Sequence, residues 1–194
     1  MVYLNDHISN IDLPTALRCV SPQRAAYALR YRQPVDQRLS LAVWLLLQQA
    51  LNAEYGMLQV PDFVYGHHGK PHLKGYPHIH FNLSHCPRAA LCVTGNRPVG
   101  CDVETVPSRL DIDLCRYCFN EEETTAILDS HHPTLAFATL WTKKEALIKL
   151  TGEGLTDHLP NLLCSEQTDE VSFSTFVAPD KSYVYTICTS AKQK

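Results

Sequence analysis

Two carboxylates one residue apart, Asp102 and Glu104, are the first residues whose spacing suggests chemistry. They lie in the segment VGCDVE, whose alternation predicts a strand with Val99, Cys101 and Val103 pointing into a core. Successive side chains of a strand lie on opposite faces, so Asp102 and Glu104 share the other face, about 7 Å apart along the chain. Two like charges on one face favour a cation between them, and carboxylate oxygens select Mg²⁺ or Mn²⁺. The alternative is a pair of solvated acids on an exposed strand.

The segment LAFATLWTKKEALIKL carries three further charged groups at helical spacing. At 100° per residue its apolar side chains form one stripe with Lys144 in the middle, where a leucine is expected. Such a lysine either extends from an apolar face to solvent or is directed at a buried anion. Glu145 and Lys149 lie at the edge of the stripe at positions i and i+4, which is also the spacing of an ordinary surface ion pair. The functional alternative is a helix that offers a carboxylate and an ammonium to one site.

The carboxylate pair and the charged helix together resemble the paired signature of the 4′-phosphopantetheinyl transferases, with VGCDVE at residues 99–104 and WTKKEALIKL at 141–150. Two upstream segments, FNLSH at 81–85 and GKP at 69–71, resemble further motifs of the Sfp-type branch of that family. The four motifs follow in the family's order between residues 69 and 154, a little under half of the chain. Each motif is weak alone, and the four together are specific.

The resemblance implies an enzyme that transfers 4′-phosphopantetheine from coenzyme A, its substrate, to a serine hydroxyl of an acyl or peptidyl carrier protein. It also implies Mg²⁺ as the cofactor, or Mn²⁺ in its place, held by Asp102, Glu104 and Glu145. Glu145, or a water on the metal, would take the serine proton, and Lys149 would stabilise charge that develops on the phosphate. The implied or candidate coenzyme contacts are Lys70, Ser84, His85, Asp102, Lys144, Lys149, Arg30 and Arg38.

Charge is distributed unevenly along the chain. Residues 14–53 hold five arginines and one acid, whereas residues 102–129 hold eight acids and two arginines. A basic segment attracts phosphates or an acidic partner, so this patch is a candidate dock for an acidic carrier protein. Its candidate coenzyme contacts are Arg24, Arg30, Arg32 and Arg38. The net charge of −3 and the lack of a nucleic-acid motif argue against nucleic acid as a partner.

Two other functions stay open. A coenzyme A-binding or carrier-binding protein without catalysis would keep the same fold, although the intact carboxylates and Lys149 argue against it. A metal-dependent phosphohydrolase could use the same carboxylates and would split a phosphoester without an acceptor protein. Zinc at the histidine-rich residues 67–85 or at the Cys115 and Cys118 pair is the weaker hypothesis. The histidine spacing matches no standard ligand pattern, and no second cysteine pair follows at zinc-ribbon spacing.

The hydrophobic periodicity, together with the residues that typically begin or end helices and strands, predicts the elements that must position these groups. Predicted helices cover residues 21–30, 36–56, 120–129 and 134–150, and predicted strands cover 78–84, 89–94, 99–103, 171–177 and 183–188. The GNRP turn predicts that the second and third of these strands form a hairpin, and a Pro-Asp turn predicts another at the C-terminal end. Residues 64–75 are predicted as a loop.

The order of the elements predicts an α+β fold of two similar halves. The resemblance implies the same pseudo-dimeric arrangement. We place the N-terminal half, with the coenzyme-contacting motifs, at residues 1–98. The C-terminal half, with the metal-binding and catalytic motifs, covers residues 99–194.

Length and composition indicate one compact body in the cytoplasm. The chain has 194 residues, 45% of them hydrophobic and 19% charged. Its longest apolar run, Leu41 to Leu47, is far shorter than the roughly 20 residues that cross a bilayer, and the N-terminal residues carry no secretion signal. The eight cysteines lie mostly in apolar segments and are predicted to be reduced thiols. We therefore expect a cytoplasmic monomer that does not bind membranes.

Overall fold

The computed structural model describes residues 1–154, 158–164, 168 and 170–190. Helices in these residues are α1 Leu13–Arg18, α2 Pro22–Ala28, α3 Pro34–Tyr55, α4 Ile112–Cys118, α5 Glu121–Leu128 and α6 Pro133–Thr151. Strands are β1 Val2–Asn5, β2 Phe63–Tyr65, β3 Pro71–Leu73, β4 His80–His85, β5 Ala90–Gly95, β6 Val99–Thr105, β7 Val171–Val177 and β8 Tyr183–Ser190. Short 3-10 helices lie at Ile8–Asn10 and Leu159–Cys164. The predicted α+β class is confirmed.

Helix α3 packs on the first sheet, whose antiparallel strand order is β1-β5-β4. The helix has a proline in its first turn and ends at Gly56, whose φ of 67° is left-handed and therefore suits glycine. Leu47 and Leu51 of α3 pack with Phe81 of β4 in one hydrophobic core. The prediction of a long core helix that stops at Gly56 is confirmed.

Helix α6 packs on the second sheet, whose antiparallel order is β6-β8-β7. The closest approach is at Gly100 of β6, where a Cβ atom would lie 2.0 Å from the carbonyl oxygen of Ala146 and 2.4 Å from the backbone nitrogen of Leu150. Only glycine lets the helix lie this close to the strand. The helix covers the face of β6 that carries Asp102, whose residual exposure is 2%. The alternative of a solvated acid on an exposed strand is therefore wrong for Asp102.

The other face of β6 confirms the predicted alternation. Val99, Cys101 and Val103 are buried in a core that also contains Leu91 and Val93 of β5. Strand β6 is thus covered on both faces, with apolar side chains on one side and helix α6 on the other.

The predicted hairpin between the segments now identified as β5 and β6 is wrong. Strand β5 already has β1 on one edge and β4 on the other, so no edge is left for β6. Strand β6 instead pairs with β8, which begins 78 residues after β6 ends. The turn at residues 95–98 carries the chain from one sheet to the next.

The predicted loop at residues 64–75 contains a small antiparallel ribbon formed by β2 and β3. Each strand is three residues long, too short to show a hydrophobic period. The C-terminal hairpin of β7 and β8 is confirmed, and so is the capping pair of Asn120 and Glu123 at the start of α5. The division into halves after residue 98 stays a prediction.

Among the described residues, no helix combines the length and the apolar character needed to cross a bilayer.

Gly100→Ala should destabilise the fold because the added methyl group would overlap backbone atoms of α6 rather than a flexible side chain. We expect the free energy of unfolding to fall by about 1–3 kcal/mol or more in urea denaturation, since overpacking of a rigid core typically costs this much. Gly95→Ala is the matched control, because its Cβ would meet nothing closer than 3.5 Å. Equal stability of the two variants would contradict the close packing of α6 on β6.

Candidate active site

Three side chains from β4, β6 and α6 meet in one hydrogen-bonded cluster. Lys149 Nζ lies 2.6 Å from Asp102 Oδ1 and donates to Ser84 Oγ at 3.0 Å. The Ser84 hydroxyl donates to the same Asp102 oxygen at 2.7 Å. Lys149 keeps 29% of its side chain exposed, whereas that of Asp102 keeps 3%. The structure therefore brings together three of the residues that the motif match singled out.

The second carboxylate oxygen of Asp102, Oδ2, is buried and makes no hydrogen bond to any described residue. A buried carboxylate oxygen without a partner is costly unless a cation or a donor satisfies it. Oxygen ligands of this kind suit Mg²⁺ or Mn²⁺. The chemistry of this position fits the metal that the motif match implies.

Glu104 and Glu145 face the same region and feel the charge of Asp102. Burial raises the pKa of Glu104 to about 7, and repulsion from Asp102 adds to the effect. Burial also raises the pKa of Glu145, with Lys149 opposing the rise and Asp102 adding to it. A cation among these carboxylates would relieve the repulsion between them.

The carboxylates do not form a closed metal site. Within the described ranges, no three His, Cys, Asp or Glu side chains lie close enough together to hold a metal ion. The ligand set Asp102, Glu104 and Glu145 therefore stays a prediction, and its assembly requires side-chain adjustment.

Cys115 and Cys118 are buried free thiols of α4.

Burial and the charged neighbours of Lys149 shift its pKa in opposite directions. Loss of water alone would lower this pKa, but the charge of Asp102 and its hydrogen bond raise it, and the net shift is upward. Lys149 is therefore an ammonium at neutral pH. The next residue after Ser84 is His85, whose pKa is lowered by burial and then by Lys149.

An open groove of about 910 Å³ leads to this cluster. Ser84 and His85 line one part of it, and Arg24 of α2 lines another. The guanidinium of Arg24 lies 4.8 Å from the ring centres of both Tyr27 and Trp44. It donates to the carbonyl and hydroxyl oxygens of a serine on α3, while its Nε is buried without a partner among the described residues. Lys149 lies outside the lining of this groove, but its ammonium bonds to Ser84, which belongs to the lining.

Arg24 is the arginine that lines this groove, and sequence reasoning did not choose it over its neighbours. Arg38 donates through Nε to the Ile11 carbonyl oxygen at 3.0 Å, and Arg30 lies over the ring of Tyr27 at 5.7 Å. Neither belongs to the lining of the groove, so their coenzyme contacts stay predictions. The available signal was the Ser21-Pro22 helix start, which places Arg24 in the first turn of α2.

The prediction that Lys144 contacts the coenzyme is wrong. Its side chain has no exposed surface and points away from the cluster. The ammonium pairs with Glu123 Oε2 at 2.7 Å and also donates to three backbone oxygens. These belong to Cys118 at 3.0 Å, Leu159 at 2.8 Å and Pro160 at 2.8 Å. Of the two alternatives for this lysine, the buried anion was the correct one, but the anion is Glu123 rather than a ligand.

Lys70 also donates to backbone. Its ammonium lies 2.8 Å from the Leu150 carbonyl oxygen, at the end of α6, and 3.3 Å from the Val99 carbonyl oxygen. Burial lowers its pKa to about 8. A coenzyme contact by Lys70 stays a prediction, and these bonds give the residue a separate role in holding the segment before β3 against α6 and β6.

Comparison with known proteins places these residues among relatives. A family model described as the 4′-phosphopantetheinyl transferase superfamily matches residues 98–191. The chain is 34% identical over 145 residues to the 4′-phosphopantetheinyl transferase AcpT of Salmonella typhi, covering 72% of this chain and 67% of that protein. It is 26% identical over 159 residues to the 4′-phosphopantetheinyl transferase Sfp of Bacillus subtilis (strain 168), covering 80% and 70% respectively. It is also 31% identical over 140 residues to the 4′-phosphopantetheinyl transferase psf-1 of Bacillus pumilus, covering 71% and 60%.

Lys144→Met should lower the free energy of unfolding by about 3 kcal/mol or more, because it leaves Glu123 and the backbone oxygens without their buried partner. Thermal or urea unfolding measures the loss. Lys143→Met, at the preceding and partly exposed position, is the control and should stay near wild type. A Lys144→Met protein of normal stability that binds coenzyme A poorly would restore the role of a coenzyme contact.

Proposed function

We infer, since this chain belongs to the 4′-phosphopantetheinyl transferase superfamily, that it transfers 4′-phosphopantetheine from coenzyme A to a serine hydroxyl of an acyl or peptidyl carrier protein. The observation that supports this most strongly is the unpartnered Oδ2 of Asp102 beside the ammonium of Lys149. A buried carboxylate oxygen and a cation next to it suit a magnesium-bound pyrophosphate.

The groove suits the shape and charge of coenzyme A. Arg24 belongs to its lining, and Lys149 bonds to the lining residue Ser84. The coenzyme carries a phosphate on its nucleotide and a pyrophosphate further along. We place the nucleotide phosphate near Arg24, whose Nε has no partner among the described residues. The pyrophosphate then lies near Ser84 and His85, within reach of Lys149.

Magnesium, when bound, would be held by Asp102 through Oδ2 together with Glu104 and Glu145, and would neutralise charge on the pyrophosphate oxygens. Lys149 already uses two of its three N–H groups on Asp102 and Ser84. The third N–H is left for a phosphate oxygen, where it stabilises the charge that grows as the phosphorus is attacked.

Proton removal falls to Glu145. Its raised pKa makes it a better base than an exposed glutamate, provided that the pH lies above that pKa. The serine oxygen of the carrier forms a bond to the phosphorus next to pantetheine, and its proton passes to the Glu145 carboxylate. The bond to the bridging pyrophosphate oxygen breaks, and adenosine 3′,5′-bisphosphate leaves with the electron pair.

Intact-mass analysis of apo carrier proteins incubated with this protein, coenzyme A and Mg²⁺ tests the proposal. We expect one phosphopantetheinyl group per carrier, and Glu145→Gln should lower kcat by about a hundredfold or more because it removes the base and one ligand charge. Glu153→Gln, at an exposed position, is the control and should leave kcat unchanged.

Two outcomes would contradict the proposal. Coenzyme A binding without transfer to any carrier of a broad panel would favour the inactive binding protein. Release of phosphate from a phosphoester without an acceptor would favour the phosphohydrolase.

A further inference from the structure

The edge of β6 that faces the first sheet is held by side chains rather than by a neighbouring strand. In the described sheets, β6 is an edge strand paired only with β8. Asn82 Oδ1 accepts the N–H of Cys101 at 2.8 Å, and Ser84 Oγ accepts the N–H of Val103 at 3.3 Å. Lys70 donates to the Val99 carbonyl oxygen. We call these three side chains, Lys70, Asn82 and Ser84, the side-chain seam.

The seam leaves space that a continuous sheet would fill. Strands β4 and β6 would lie about 5 Å apart if their backbones were hydrogen-bonded directly. Side chains span the gap instead, and a cavity of about 260 Å³ lies beside it. Lys70 and Asn82 line this cavity together with Lys149. The seam thus joins the two sheets beside the catalytic ammonium without closing the site.

Asn82 acts on the backbone of Cys101, the residue before Asp102. The direction of a strand side chain follows from the course of the backbone on either side of it. Asn82 holds the Cys101 N–H, and Ser84 holds the Val103 N–H, so the backbone on both sides of Asp102 is fixed from β4. Ser84 and Lys149 then fix Oδ1 of the carboxylate, and Oδ2 is the oxygen left free.

We propose that Asn82 is a positioning residue of the transfer reaction: through the Cys101 N–H it holds β6 so that Asp102 presents Oδ2 to the cation. The proposal rests on the proposed function for its metal. Asn82 touches neither the substrate nor the reacting atoms. Its effect on the reaction passes through the backbone of β6 to Asp102, since outer groups that orient a metal ligand affect the metal site.

A direct test compares two variants whose side chains have the same number of heavy atoms as asparagine. Asn82→Leu removes the acceptor, and Asn82→Asp keeps it. Mn²⁺ binding is followed by electron paramagnetic resonance with and without coenzyme A, and hydrogen exchange of the peptide covering residues 99–104 is followed by mass spectrometry. We expect Asn82→Leu to weaken Mn²⁺ binding by about tenfold or more, as loss of a partner of a metal ligand does, and to speed exchange at Cys101. Asn82→Asp should keep both properties near wild type.

Thr94→Val is the stability control, because it removes another side-chain hydrogen bond, from Thr94 of β5 to Glu54 of α3. It should lower the melting temperature without changing Mn²⁺ binding. If Asn82→Leu does not fold, Asn82→Ala is measured in the same way.

Three results would overturn the proposal. Wild-type Mn²⁺ affinity in Asn82→Leu is one, and equal loss in Asn82→Leu and Asn82→Asp is another. The third is a wild-type protein that does not bind Mn²⁺. A protein that binds Mn²⁺ as expected but modifies no carrier would contradict the proposed function and leave the role of Asn82 intact, since neither readout needs turnover.

Discussion

The ion pair between Asp102 of β6 and Lys149 of α6 is the contact on which the rest of the site depends. Burying two charges costs free energy, and an attraction over 2.6 Å repays it only if the remaining polar atoms find partners. Ser84 supplies one such partner for both charges. Asp102 Oδ2 has no such partner among the described residues, so these residues satisfy only one of the two oxygens of this carboxylate.

That ion pair needs a helix and a strand in close contact. Gly100 allows it, because the backbone of α6 occupies the place of a side chain. Two other lysines hold helix α6. Lys144 anchors it to α5 and to the 3-10 helix Leu159–Cys164, and Lys70 holds its C-terminal end. Lys149, between Lys144 and Leu150 along the helix, bonds to Asp102 and Ser84 instead.

Local pattern was sufficient to predict which residues share a face. The alternation of VGCDVE placed Asp102 opposite Cys101 in the right register, and the helical period placed Glu145 and Lys149 at the edge of the apolar stripe. These predictions hold because side-chain direction on one strand or helix depends only on that element. The family resemblance added the identity of the coenzyme and the carrier, which no periodicity contains.

Predictions that depended on distant partners were less secure. The turn between β5 and β6 has the composition of a hairpin, but the edges of β5 are taken by β1 and β4, and only the tertiary fold decides this. For Lys144 the sequence left two roles open, a side chain that extends to solvent or one that meets a buried anion. The choice depends on the acceptors that α5 and the 3-10 helix place beside the ammonium. Arg24 lines the groove because Tyr27 and Trp44, from two helices, enclose it. Asn82 lies in the FNLSH motif, while its partner, a backbone N–H in another sheet, has no signature in the sequence.

The central claim is that Asp102 divides its two oxygens between Lys149 and a cation. A crystal structure of the protein with coenzyme A and Mg²⁺ tests it most directly. We expect the ion to lie on Oδ2 of Asp102, with Glu104 and Glu145 turned toward it and Lys149 still bonded to Oδ1. An ion bound elsewhere, or a Lys149 that leaves Asp102 when coenzyme A binds, would contradict this account.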